Sequence, residues 1–260
     1  MDLAYDGTDF AGFAENRDVR TVAGDLRSAL ERICGHQIEL FVAGRTDRGV
    51  HAAAQTVHFD TTTSIEPPRL LRSLNKMVFP AIAVASVREV PMDFHARFSA
   101  TSRRYRYQIL ASPFPDVFAA RTSWWLPMEL AVADMETAAE HLIGEHDFSA
   151  FCKRPARPDG EIASLVRRVH STRWSSEPVG ASNGGPAVGA MMSFHIEGQA
   201  FCHHMVRSIV GTLVEVGRGR LQPEDMRMIL ESRDRSRCAS LAPPHGLCLM
   251  AVGYGGLPTG

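Results

Sequence analysis

The chain has 260 residues, 45% of them hydrophobic, and a formal net charge of −1. A core can therefore form, global disorder is excluded, and no whole-molecule charge draws the protein to nucleic acid. No apolar run approaches the ~18 residues of a membrane span, and MDLAYDG lacks the basic flank and apolar stretch of a signal peptide, so a cytoplasmic location and no membrane partner are expected. Five cysteines (Cys34, Cys152, Cys202, Cys238 and Cys248) show no C-x-x-C spacing and read as reduced thiols.

Leu3 to Asp6 predicts the end of a short strand. TVAGDLRSALERICG places Val22, Leu26, Leu30 and Ile33 at helical spacing, with Gly35 as a stop. Ile38 to Ala43 predicts a strand running into a loop, and Ala54 to Asp60 alternates as the next strand. PPRLLRSLNKMVF opens on prolines and carries Leu70, Leu71, Leu74 and Val78, a helix. Ile82 to Val90 predicts an apolar strand. Arg103 to Leu110 alternates, with Tyr105, Tyr107 and Ile109 on one face and Arg104, Arg106 and Gln108 on the other. Met135, Ala138, Ala139, Leu142 and Ile143 mark a helix ended by Gly144. Leu165 to Trp174 and Ala190 to Glu197 predict strands, with a turn or loose hairpin tip over 175–189. His203 to Val216 and Pro223 to Leu230 predict helices, and Leu247 to Val252 a last strand. This order suggests two α+β subdomains: residues 1–110, a connecting segment 111–125 where SPFPDVF breaks the pattern, and residues 126–260.

Charge is unevenly spread. Phe94 to Arg121 holds five arginines and one acid, whereas Met128 to Asp147 holds six acids and no Lys or Arg. The sharpest candidate is Asp47, in AGRTDRGVH, between Arg45 and Arg48 and flanked by glycines. A carboxylate there is ionised at neutral pH without help, so the arginines either hold it in place or receive a polyanion around it. An Asx-turn with two solvated arginines is the plainer alternative. Arg103, Arg104 and Arg106 interleave with Tyr105 and Tyr107, which suits phosphates and a stacked base, or a half-buried strand with a charged outer face. KRPARPDG (153–160) is a basic loop. Arg207 lies in an otherwise apolar helix and needs a partner, Asp47 being one candidate, unless it snorkels to solvent. His203 and His204 are expected to point apart and make a poor metal pair. These pieces fit an enzyme acting on a nucleoside within RNA, a non-catalytic RNA-binding module or, less well, a glycoside hydrolase, which usually wants two carboxylates.

Taken together, YDGTDFAG (5–12), TVAGDL (21–26), AGRTDRGVHAAAQTVHF (43–59), DFHARFSATSRRYRY (93–107), GEHDFSAF (144–151), QAFCHHMVRSIVG (199–211) and GLCLMAV (246–252) resemble the bacterial tRNA pseudouridine synthase A family, in that family's order and over nearly the whole chain. The resemblance implies an α+β fold of two similar subdomains sharing one continuous, mainly antiparallel sheet, with helices on one side and a basic cleft between the halves. It implies a homodimer that binds tRNA and converts uridines of the anticodon stem-loop, about positions 38 to 40, to pseudouridine, with no metal or organic cofactor. Carried over residue by residue, Asp47 matches the catalytic aspartate and Tyr105 the substrate-stacking tyrosine. Arg207 matches the basic residue paired with the aspartate, Arg45 an arginine that holds RNA, and Leu247 lies near the apolar pocket residue. Arg104 and Arg106 are expected to meet RNA phosphates. The chain departs from the family at Arg48, where a small residue is common, at Phe13 and Ala14, which replace a W-Q pair, and at Ala81, where an acid is common. A divergent paralogue acting on other RNA uridines is the alternative within the family.

Overall fold

The computed structural model describes residues 1–154, 164–180 and 187–255. Its backbone clusters into two compact units, Met1–Arg103 with Cys248–Gly260, and Arg104–Leu247. The chain crosses from one to the other inside strands, between Arg103 and Arg104 and again between Leu247 and Cys248. Segment 111–125 lies within the second unit. The fold is α+β, as the sequence predicts, and its strand pairing is mixed.

In the first unit the strand order is β4 (Ile82–Ser86), β1 (Asp2–Tyr5), β3 (His51–His58), β10 (Leu247–Gly253), with β2 (Phe41–Val42) on β3. All of these pairings are antiparallel except β10 with β3. Helix α1 (Val22–Cys34) starts where the Thr21 hydroxyl accepts from the Gly24 amide and stops at Gly35, whose φ of 79° an L side chain rarely adopts. Its buried stripe, Val22, Leu26, Ala29 and Leu30, follows the helical period. Helix α2 (Pro67–Val78) buries Leu70, Leu74 and Val78. The Asn75 amide docks it on β4, donating to Val84 O at 2.9 Å and accepting from Val84 N at 2.7 Å.

In the second unit the order is β5 (Ser102–Ala111), β9 (Ala187–Gly198), β8 (Val166–Gly180), β7 (Gly144–Asp147), with β6 (Trp124–Leu126) parallel to β5. Helices α3 (Val132–Glu140), α4 (Met205–Gly217) and α5 (Pro223–Ser232) complete it. Ile209, Val210, Leu213, Val214 and Val216 of α4 are all buried, which makes α4 the apolar spine of this unit.

Several boundaries differ from expectation. β2 keeps two residues instead of Ile38–Ala43, β3 starts three residues early at His51, and β4 stops at Ser86. Helix α3 ends at Glu140, and Gly144 (φ 111°) opens strand β7 rather than closing a helix. The expected loose tip over 175–189 is largely ladder: Ser175 to Gly180 pair antiparallel with Ser193 to Ala187. Residues 181–186 of that tip and 155–160 of the basic loop lie outside the described residues.

Candidate active site

The Asp47 loop is built by the first unit, and its burial is graded from frame to charges. Arg45 and Arg48 are exposed, Thr46 is buried, and Asp47 is half-buried. The Thr46 hydroxyl shares a 2.8 Å hydrogen bond with the Tyr5 phenol, and the Gln55 amide donates to Tyr5 Oη at 3.3 Å and to Gly44 O at 2.8 Å. Burial pushes the Tyr5 phenol up to about 12, so it stays neutral and works as a fixed hydrogen-bonding group. The loop backbone is closed by Val50 N donating to Asp47 O at 3.1 Å, and Phe13 N donates to Thr46 O at 3.1 Å. Gly12 permits that approach: its φ is 112°, and a Cβ there would sit 3.0 Å from Thr46 O. Residues 5, 12, 46 and 55, distant in sequence, thus hold one turn in one shape.

The second unit carries Tyr105, Arg104, Arg106, Arg207 and Leu247. The alternation along β5 is as expected: Tyr105 and Tyr107 are buried, and Arg104 and Arg106 lie on the other face. Tyr105 packs edge-on against Phe201, with ring centroids 5.2 Å apart. The strand therefore does not bring Arg104 or Arg106 together with Tyr105. Arg104 Nε donates to Glu197 Oε2 at 3.3 Å. Arg106 Nε is buried without a hydrogen-bond partner. Arg104 also lines a cavity of about 270 Å³ with Ser171, Arg173, His195, Ile196 and Glu197. Burial, then the positive charges of Arg106, Arg173 and Arg104, hold the His195 imidazole below the usual histidine range. Positive charge thus gathers on this face.

Arg207 sits in the first turn of α4. Its Nε donates to Ala242 O at 2.8 Å, and Ala242 N returns a bond to Arg207 O at 3.2 Å. The guanidinium is thereby fixed to the segment before β10. The Tyr107 hydroxyl donates to Pro243 O at 2.8 Å in the same segment. Gly246 has no room for a side chain, since a Cβ there would come within 2.6 Å of the Tyr107 ring. This close packing leads into Leu247, which is buried.

Three expectations are corrected. Arg103, grouped with Arg104 and Arg106 as suited to phosphates, is instead buried, and its Nη atoms donate to Ala43 O, Arg97 O and Ala100 O at 2.9, 2.8 and 3.1 Å. His203 and His204 do not diverge. His204 has a φ of 69° and precedes α4 instead of lying in it, and the two rings approach to 3.9 Å. Nor are all five cysteines thiols: Cys152 and Cys202 form a disulfide with Cα atoms 5.8 Å apart, brought together where Lys153 N donates to His203 O. The supporting residues Tyr5, Thr46 and Gln55 were not singled out from sequence, although each lies inside or beside a recognised motif.

The family model described as tRNA pseudouridine synthase matches residues 3–99 and 138–255. The chain is 40% identical over 253 residues to tRNA pseudouridine synthase A of Pseudothermotoga lettingae, covering 97% of each protein. It is 40% identical over 256 residues to that of Brevibacillus brevis, again covering 97% of each. Against that of Bartonella tribocorum it is 35% identical over 257 residues, covering 98% of each.

Proposed function

The chain belongs to the tRNA pseudouridine synthase family, and on that premise we propose that it isomerises uridines of the tRNA anticodon stem-loop, about positions 38 to 40, with Asp47 as the catalytic carboxylate. The observation that carries the reading is the construction of the Asp47 loop. Its backbone is fixed by Tyr5, Thr46 and Gln55, while Asp47 is half-buried and the flanking Arg45 and Arg48 are exposed. A group held this way meets a substrate with little reorganisation.

The chemistry needs no net oxidant or second substrate. The uracil N1–C1′ bond breaks, the base turns over, C5 bonds to C1′, and the proton on C5 leaves to solvent while N1 gains one. Asp47 either attacks C1′, giving a covalent intermediate, or removes the 2′ proton to give a glycal. The uridine must first leave its stack, which costs a few kcal/mol. In this reading the Tyr105 ring replaces part of the lost stacking, and Arg45 holds the backbone of the flipped nucleotide. Arg207 supplies a fixed positive charge, and Leu247 gives the base an apolar surface. Arg104 and Arg106, on the other face of β5, serve phosphates away from the reacting nucleotide. The protein works as a homodimer, and sedimentation at micromolar concentration should give twice the 28.5 kDa chain mass.

The test is Asp47→Asn, which keeps shape and removes charge and nucleophilicity. Tritium release from tRNA labelled at uridine C5 should fall below detection, a loss of many powers of ten, while tRNA binding persists. Thermal melting establishes that the variant is folded. Near-normal release would falsify the catalytic assignment. A wild-type protein that binds tRNA and never releases tritium would favour a binding module. Arg48, exposed beside Asp47, supports the second reading of a paralogue with other target uridines. Release from RNAs lacking an anticodon stem-loop would favour it.

A further inference from the structure

The turn over residues 95–100 of the first unit is held from every side and yet presents an aromatic ring to solvent. The His95 amide donates to Ser99 Oγ at 3.0 Å, and Ser99 N donates to His95 O at 2.9 Å. His95 Nδ1 accepts from the amides of Arg97 and Phe98 at 3.1 and 3.3 Å. His58 Nδ1 accepts from Ala96 N at 3.1 Å, and the Tyr254 hydroxyl donates to Ala96 O at 2.7 Å. Buried Arg103 donates to Arg97 O and Ala100 O, and through Ala43 O it ties the turn to the start of the Asp47 loop. Below the turn lies an aromatic cluster: Phe41 stacked on His58 at 4.8 Å, His58 edge-on against His95 at 4.7 Å, and His95 tilted against Phe98 at 4.5 Å.

Phe98, at the end of this cluster, is 75% exposed, and the Arg97 guanidinium lies 5.5 Å from its ring centroid. A mobile loop exposes a ring by accident of motion. Here the backbone is fixed by seven hydrogen bonds to side chains, and the ring remains out. A rigid aromatic side chain also loses little freedom when something lands on it. The pairing with Arg97 indicates what lands. An apolar protein surface would cover the ring and bury the cation without a partner. A nucleotide offers a π-face to the ring and a phosphate to the guanidinium at once.

We propose that Phe98 and Arg97 form a stacking platform for an unpaired nucleobase of the RNA substrate, with the guanidinium on the adjoining phosphate. The proposal rests on the reading of this protein as an RNA-modifying enzyme and adds a contact on the first unit that is separate from the reacting uridine.

The experiment uses the full chain with two fluorescent probes: a short oligouridylate, and an abasic oligonucleotide of equal backbone charge. Phe98→Ala should weaken oligouridylate binding about tenfold and leave the abasic probe unchanged. Phe98→Trp should restore affinity, and its added indole emission should be quenched on binding. Arg97→Ala should flatten the slope of log affinity against log salt by about 0.7, one phosphate on a single strand. Three outcomes overturn the proposal: a parent protein that does not bind oligouridylate, an unchanged affinity in Phe98→Ala, or equal losses on both probes. Phe98→Ala that lowers the sedimenting mass while binding oligouridylate normally would show instead that a second copy of the chain covers the ring. Tritium release by the parent enzyme is read separately, so failure here leaves the isomerase reading standing, and failure there leaves the platform result standing.

Discussion

Arg103 and Arg104 are neighbours in one strand and have opposite fates. Arg103 turns into the first unit, where three backbone carbonyls take up its donors. Arg104 turns out of the second unit and joins a face where Arg106 and Arg173 also gather, with Glu197 as a carboxylate partner. In the first region charge is committed to architecture: it fixes the turn over 95–100 and the strand end that enters the Asp47 loop. In the second, charge stands together on an open surface, a state that favours an incoming anion. The same residue type at adjacent positions is therefore a structural clamp in one place and an electrostatic surface in the other. Period-2 geometry alone decides which.

The largest expected effect tests the clamp. Arg103→Met keeps the stem and removes the guanidinium, leaving the carbonyls of Ala43, Arg97 and Ala100 without this donor. A buried unsatisfied group costs roughly 1–3 kcal/mol, so a loss of about 3 kcal/mol is expected for the set. At this chain length that is a fall of roughly 6–12 °C in Tm. Arg104→Met, at an exposed position, should change stability by less than about 0.5–1 kcal/mol. Equal shifts in thermal melting for the two variants would break the comparison.

This contrast was half legible in the sequence. The alternation over 103–110 put Arg104 and Arg106 on one face and the tyrosines on the other. It does not say that an arginine on the buried side finds three carbonyls, because those carbonyls come from residues 43, 97 and 100, in three different places. The same holds at the candidate site. The G-R-T-D motif singles out Asp47, but its support joins Tyr5, Thr46 and Gln55 through contacts made only by folding. Helices with a regular apolar stripe, α1, α2, α4 and α5, were readable because burial imposes the 3.6-residue period. β6 and β7 were not. β6 has three residues, too few for a period, and GEHD of β7 is a polar strand paired to β8 at the end of the strand order. The turn over 175–180 was misread because Gly, Ser and Pro were weighed as breakers where cross-strand pairing with β9 prevails.

A smaller effect sharpens the other side of the comparison. If the outer face of β5 meets RNA, replacing Arg104 and Arg106 together with alanine should remove about two phosphate contacts. The slope of log affinity against log salt should then flatten by about 1.4 for single-strand contacts. Turnover on bound tRNA should change little, since Tyr105 and Asp47 are untouched. An unchanged slope would show that charge on this face serves something other than RNA.

The smallest effect concerns a titratable member of the clamp. His58 Nδ1 accepts from Ala96 N, so the neutral ring with its proton on Nε2 is the form that holds the turn. Burial, then the neighbouring His95, hold this imidazole below its usual value of 6.5; Asp60 opposes them and the chain N-terminus adds to them. The direction fixes the sign. A folded-state pKa below the unfolded one means the contribution is fully present above about pH 6.5 and is lost as pH falls toward the lowered value, because the unfolded chain takes up the proton first. His58→Ala lacks the acceptor at every pH. The gap in Tm between parent and His58→Ala should therefore be widest above about pH 6.5 and narrow as pH falls below it. Arg103→Met should show no such narrowing against the parent, because its guanidinium does not titrate in this range. A His58→Ala gap that stays constant across the window would mean that the turn is held by its other hydrogen bonds, and that the imidazole contributes packing in place of one.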